Sequence, residues 1–315
     1  MCKITYFTPT YNRENLLPRV YDSLLSQTDK NFIWLIVDDG SVDGTKKLVE
    51  SWQKANKINI KYVYKDNGGK HTAIDLAHQV CTTEFICCCD SDDKMSKDAT
   101  EVIYRYIEQY RDDKELLGFV GRVCDFNGNI IGFKGQIIED CWPKQSRKVG
   151  FYELQPKFNY LGETVLVFKT EIVKNYHFPV FEGERFVTES VLYKQFMYSY
   201  KMATMAEFIH PIEYQQDGYT TQGMDLFFKN PKGLLYRRKQ DAYCQIKYEI
   251  GFIKKLQRAT MYYVCKSGLG IKEDIGGEFK IKFPFNMLGS IAKIFFVGSF
   301  KRKYKEFLLR QQNKQ

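Results

Sequence analysis

Phe85-Ile86-Cys87-Cys88-Cys89-Asp90-Ser91-Asp92-Asp93 is an unbroken apolar run that stops on three carboxylates. An apolar run of this length, bounded by a polar cluster, reads as a buried strand. The same signature recurs upstream. Residues 4–8 run into Pro9-Thr10-Tyr11-Asn12-Arg13, residues 32–37 into Asp38-Asp39-Gly40-Ser41, and residues 58–64 into Asp66-Asn67-Gly68-Gly69-Lys70-His71. Helical spacing fills the gaps: Leu16, Leu17, Val20 and Leu24; residues 45–53 after the Asp43-Gly44 turn; Ile74, Ala77 and Cys81; and Val102, Ile103, Tyr106, Ile107 and Tyr110. Strand and helix therefore alternate four times with short connections, which predicts a parallel α/β sheet. Right-handed crossovers bring the four strand ends to one rim, and that rim is where open sheets of this kind bind ligands.

Beyond Leu116 the pattern loosens. Residues 119–124 and 130–133 flank Asn127-Gly128-Asn129 and predict a hairpin, and residues 165–168 predict a further strand. From about Lys232 the sequence reads as helices without strands. The expected division is a catalytic domain over residues 1–225 (a nucleotide half, 1–115, and an acceptor half, 116–225), followed by a basic helical segment, 226–315.

At 315 residues and 44% hydrophobic content the chain can bury a full core. Its nine cysteines are odd in number, three are consecutive, and none forms a CxxC pair. That pattern predicts buried free thiols in a reducing compartment. Residues 1–9 lack the basic-then-apolar design of a signal peptide, so a cytoplasmic location is expected. The net charge of +9 is unevenly placed: from Lys232 onward there are 19 Lys and Arg against 6 Asp and Glu, leaving 28 against 32 upstream.

The four rim segments carry what a nucleotide needs. An aromatic ring stacks on a base, and an isolated Asp accepts the imino hydrogen of a pyrimidine. Gly-Gly lets backbone approach a phosphate, and Lys or His offsets its charge. Clustered carboxylates hold a hard divalent cation that bridges to phosphate oxygens. Each motif alone is equally well a turn or a helix cap; four in succession at one rim make a site. There is no GxGxxG after the first strand, and Gly69-Lys70 lacks the upstream glycine of a P-loop, so neither of those nucleotide folds applies.

Taken in order, Thr8-Pro9-Thr10-Tyr11-Asn12-Arg13, Ser26-Gln27-Thr28, Val37-Asp38-Asp39-Gly40-Ser41 with Asp43-Gly44-Thr45, Asn67-Gly68-Gly69-Lys70-His71-Thr72 and Asp90-Ser91-Asp92-Asp93 resemble the family-2 glycosyltransferases. These are inverting enzymes of the GT-A fold, many of which build bacterial surface polysaccharides. The resemblance spans roughly residues 1–220. It implies a UDP-sugar donor and Mn2+ or Mg2+. Tyr11 would stack on uracil beside Pro9, with Thr8 and Arg13 in the same loop, and Asp39 would read the base. Asn67, Gly69, Lys70 and His71 would lie along the diphosphate. Asp90 and Ser91 would sit near the ribose, and Asp92, with Asp90, would ligate the metal. The general base of the family lies in a downstream acidic pair. Here that place reads Glu189-Ser190, which makes Glu189 the expected base, with Glu182 and Glu184 as rivals.

His210 reads either as a third metal ligand or, more simply, as a structural histidine before Pro211; His78 and His177 have no evident partner. Gln215-Gln216-Asp217-Gly218-Tyr219 reads as a mobile loop over the site or as a plain turn. Residues 283–300 are apolar but carry Asn286 and Lys293, too polar for a span. With Lys301-Arg302-Lys303-Tyr304-Lys305 they read either as an interfacial anchor on the inner face of the membrane, suited to a polyprenyl-linked saccharide acceptor, or as a helix packed on the catalytic domain. Nucleic acid is not expected, for want of a recognition motif. A nucleotidyltransferase and a non-catalytic sugar-nucleotide-binding subunit of a synthase complex are the alternative functions.

Overall fold

The computed structural model describes residues 2–132, 136–213, 219–248 and 251–312. Phe133 of the expected hairpin and residues 215–218 of the expected loop lie outside them. The chain forms two compact units, residues 1–177 with 196–221, and residues 178–195 with 222–315.

The first unit is built on an eight-stranded sheet of order β3-β2-β1-β4-β7-β5-β8-β6. Strands β1 (Ile4–Thr10), β2 (Phe32–Asp38), β3 (Ile60–Tyr64) and β4 (Phe85–Cys88) alternate with α1 (Leu17–Leu25), α2 (Thr45–Ala55), α3 (Lys70–Val80) and α4 (Ala99–Gln109). The first four strands are mutually parallel, as the alternation predicts. β1 and β2 are buried along their whole length, because helices cover both faces of a parallel sheet. Trp34 on β2 is fully buried and donates Nε1–H to Thr8 Oγ1 at 2.9 Å. Tyr21 of α1 and Trp52 of α2 stack at 4.4 Å, with Trp34 within about 6 Å of both. In the register Thr10 pairs with Asp38, and Asp38 with Tyr64, so the three strands end level with one another.

The other half of the sheet is mixed. β5 (Leu116–Arg122) starts earlier than the sequence suggests. After β6 (Lys148–Val149) and α5 (Leu154–Phe158), β7 (Thr164–Lys169) inserts antiparallel between β4 and β5 and leads into α6 (Thr170–Val173). β8 (Lys201–Thr204) runs parallel to β5 and pairs β6 on its far side. The expected hairpin survives only as a turn: Asp125 N donates to Asn129 O at 2.8 Å, and Cys124 bridges Ile130. All nine cysteines are free thiols.

Helix α7 (Ser190–Phe196) starts within the second unit and α8 (Tyr219–Lys229), broken at Gly223, ends within it. α9 (Pro231–Tyr248), α10 (Phe252–Leu269), α11 (Phe285–Ala292) and α12 (Val297–Gln312) complete it. Among its described residues there is no strand, as the sequence indicates. Phe228, Leu234 and Phe307 form one buried cluster, and Leu235, Tyr262 and Cys265 another. The amides of Lys232 and Gly233, which open α9, donate to the two oxygens of Glu184 at 2.7 and 2.8 Å.

Candidate active site

The four loops that follow β1–β4 are tied to one another in succession. After β1, Asn12 adopts a left-handed φ of 52°. Its amide donates to Ser41 Oγ at 2.8 Å, and its Oδ1 accepts from Val42 N at 2.9 Å. The next residue, Arg13, donates its amide to Thr45 Oγ1 at 3.2 Å. Tyr11 is thereby held at the tip, 44% exposed, the state required of a stacking platform.

After β2, Asp38 and Asp39 are both buried and do different work. Asp38 closes its own turn, accepting from Ser41 N at 2.7 Å and from the Tyr62 hydroxyl at 2.6 Å. Asp39 reaches across to the next loop. Its Oδ1 accepts from Lys65 Nζ at 2.6 Å and Gly68 N at 3.0 Å, and its Oδ2 from Gly69 N at 2.7 Å. The loops pack so closely that a Cβ on Gly40, where φ is +88°, would stand 2.9 Å from Asn67 N.

Gly69, also at positive φ, leads into α3. Lys70, the first residue of that helix, sends Nζ to Asp90 Oδ2 at 2.8 Å, and the Cys88 thiol donates to Asp90 Oδ1 at 3.4 Å. His71 is buried, and burial pushes its pKa down to about 4, so near neutral pH it offers a neutral ring and no positive charge. Thr8 and Pro9 are buried within β1, and the Thr8 hydroxyl is engaged by Trp34, so they support the rim from beneath.

The three carboxylates after β4 differ in their surroundings. Burial opposes ionisation of Asp90, but the Lys70 ammonium outweighs it and holds the carboxyl below its ordinary value. For Asp93 burial prevails over the neighbouring His210 and its pKa is raised. Asp92 is pushed up to about 6, by burial first and then by Asp90 and Asp93. His210 Nε2 lies 3.3 Å from Asp93 Oδ2. The segment around it runs beside the acidic turn, with Ser96 N donating to Ile209 O and Lys94 N to Pro211 O. Gln27 anchors the same stretch, donating to Ser96 O at 2.6 Å and accepting from Thr100 N at 3.0 Å.

Among the described residues no three His, Cys, Asp or Glu side chains converge into a metal cage. The donor set is nevertheless right for a hard cation. Beyond the effect of burial, the carboxylates of Asp90 and Asp93 lie close enough to Asp92 to raise its pKa, an effect that Lys70 only partly offsets. One or two carboxylates completed by substrate phosphates is the usual way such cations are held beside a diphosphate.

Sequence reading missed Lys65, Tyr62 and Arg19. Arg19 Nη1 donates to the Asp92 carbonyl at 3.2 Å and to Glu213 Oε2 at 2.7 Å. None sits in a motif; each is recruited by tertiary contact. His177 is 3.9 Å from Asp75, and His78 is buried edge-on to Phe7.

The second unit holds the downstream acidic segment. Glu189 Oε2 accepts the Tyr193 hydroxyl at 3.0 Å, and its backbone carbonyl accepts from Leu192 N and Tyr193 N at the start of α7. Glu184 is committed to capping α9, and burial, only partly offset by those two amides, raises its pKa.

The family described as Glycosyl transferase family 2 matches residues 5–176, more than half of the chain. This chain belongs to that family. Among similar proteins, Glycosyltransferase GlyA of Streptococcus pneumoniae serotype 4 is 30% identical over 140 residues, 44% of this chain and 19% of that protein. The putative teichuronic acid biosynthesis glycosyltransferase TuaG of Bacillus subtilis is 30% identical over 99 residues, 31% of this chain and 39% of that protein. The chain thus matches about a fifth and two-fifths of these relatives' lengths. The crystal structure of S. aureus TarS 1–349 with UDP-GlcNAc superposes with a TM-score of 0.59 at 15% identity, covering 96% of this chain and 92% of that one. The family and the shared architecture make the fold the expected GT-A fold with a helical C-terminal region.

Proposed function

We propose that this family-2 chain is an inverting glycosyltransferase that moves a sugar from a UDP-sugar to a hydroxyl of a glycan or lipid-linked saccharide in cell-surface polysaccharide synthesis. The observation that carries the reading is the Asp39 carboxylate, which ties the loop after β2 to the loop that leads into α3, while the Asp39 amide donates to the carbonyl of Thr10, the residue before Tyr11. Of roughly four acceptor positions on a carboxylate, three are taken, leaving one on Oδ2 for the imino hydrogen of uracil. A UDP-GlcNAc complex of TarS supports uridine as the donor nucleotide and a hexosyl or N-acetylhexosaminyl group as cargo. The teichuronic acid role in the name of TuaG supports a surface polysaccharide as product.

In this reading Tyr11 stacks on uracil, with Pro9 and Thr8 as the floor and Arg13 and Asn67 at the edges. Lys70 turns from Asp90 to the diphosphate and neutral His71 offers a hydrogen bond there, while Gly69, its amide held by Asp39, leaves room for the backbone to approach. Asp90 and Ser91 sit by the ribose and donor sugar. Asp92 and Asp90 would hold Mn2+ or Mg2+, which would supply positive charge against the departing diphosphate. Glu189 takes the proton of the acceptor hydroxyl. The acceptor oxygen bonds to the anomeric carbon as the bond from that carbon to the diphosphate breaks, and UDP leaves.

The test is product release from a panel of UDP-sugars, with Mn2+, Mg2+ or EDTA. Metal-dependent UDP release from one donor is the expected result. Pyrophosphate release from a nucleoside triphosphate would make the chain a nucleotidyltransferase instead. Binding of UDP without turnover in the presence of every acceptor tried would make it a non-catalytic partner.

A further inference from the structure

Helix α11 and the turn after it are apolar on two opposite sides, and only one of them is used. Gly289 packs so tightly on α10 that a Cβ there would stand 2.9 Å from the Ala259 carbonyl carbon, and Phe285 meets Phe252 at 5.2 Å between ring centroids. The other side faces water. Met287, Ile291, Ile294 and Phe295 recur at i, i+4, i+7 and i+8, one helical stripe, and are 48%, 54%, 68% and 82% exposed. Phe283, four residues before Met287, extends the stripe and is exposed, and Phe296 is exposed beside its end. Isolated apolar residues on a surface need no explanation, but a contiguous apolar stripe in a monomer marks an interaction site.

The charge beside the stripe identifies the partner. Lys301, Arg302, Lys303 and Lys305 follow within the first turns of α12 and are all exposed. Glu306 is the lone acid of α12. An apolar stripe running into a cationic cluster matches a bilayer interface, where acyl chains take the apolar side chains and anionic headgroups take the ammonium and guanidinium groups. No helix among the described residues is long and apolar enough to cross a membrane, so the match is to the surface. We infer that the 283–305 segment docks the chain onto an anionic bilayer, with Met287, Ile291, Ile294 and Phe295 inserted and Lys301–Lys305 at the headgroups. This inference does not depend on the donor assignment.

The test is co-sedimentation of the full chain with vesicles of phosphatidylcholine alone or mixed with phosphatidylglycerol, at low and high salt. Binding is expected to the mixed vesicles and to weaken as salt rises. Phe295→Ser should weaken it roughly tenfold, the scale of one buried apolar side chain. The combination Lys301→Gln, Arg302→Gln and Lys303→Gln should weaken it by roughly a hundredfold. Both variants change exposed side chains, so melting temperature and UDP binding should match the parent, which keeps failure here separate from failure of the donor assignment. Absence of binding to mixed vesicles, or binding unaltered in both variants, overturns the inference. So does light scattering that finds a dimer in the parent and a monomer in Phe295→Ser, since the stripe would then be covered by a second copy of the chain.

Discussion

The Asp39 carboxylate accepts a 2.7 Å hydrogen bond from the amide of Gly69, thirty residues further along the chain. That contact joins the loop after β2 to the start of α3, and it places a buried negative charge where a helix offers unpaired amides. A residue expected to read a base therefore also holds the architecture of the site. Asp39→Asn should cost about 1.5–3 kcal/mol, the scale of hydrogen bonds to a charged group. It should also abolish UDP binding. Urea unfolding and calorimetric titration with UDP check the two effects. Unchanged stability would remove the structural role, and retained UDP affinity the recognition role.

Gly40 has no room for a side chain. At φ +88° with Asn67 N 2.9 Å from the position of a Cβ, Gly40→Ala should destabilise the first unit by about 1–3 kcal/mol. UDP affinity should fall with it, because the two loops must part. Thermal melting and UDP titration read this out.

Asp92, raised to about 6, gives a pH prediction. Its folded value lies above the ordinary carboxylate value, so the native state binds the proton more tightly than the unfolded chain does. Stability then falls as pH rises from about 4 through 6, and the loss persists above that. Without added metal, Asp92→Asn should be more stable than the parent at pH 7.5 by on the order of 1–2 kcal/mol, allowing for solvent screening. The difference should vanish near pH 4. Adding Mn2+ should stabilise the parent and leave the variant unchanged. Melting curves across this pH range, with and without metal, test both statements.

Glu189 and Glu184 should separate cleanly. Glu189→Gln is expected to lower turnover about 100- to 10,000-fold, the range for loss of a general base, with UDP affinity retained. Glu184→Ala should instead lower stability by about 1 kcal/mol, the usual value of a helix cap, through the α9 amides it holds. Turnover unaffected by Glu189→Gln would remove that residue from the mechanism.

The parallel half of the sheet was legible because each strand is an apolar run ending on a polar cluster, a local signal that a single sequence carries. Helices α1–α4 were legible by their spacing, and the helical character after Lys232 by the lack of any alternating run. β8 and β6 were not, because four and two residues are too few to display a period. The insertion of β7 between β4 and β5 was hidden for another reason: strand order is fixed by pairing between distant segments, and no residue on β7 announces its neighbours.

The motifs show the same division. Local sequence determined that Tyr11, Asp39, Lys70, Asp90 and Asp92 stand at strand ends, since apolar runs and turn chemistry act over a few residues. Tertiary structure alone decided what those groups touch. It gave Asp38 to its own turn and to Tyr62, and Asp39 to Lys65 and Gly69. It buried His71 until its ring is neutral and set Lys70 on Asp90. Identical carboxylates in one motif were sorted into different roles because solvation and charge depend on every group packed nearby, and those groups come from parts of the chain that only folding brings together.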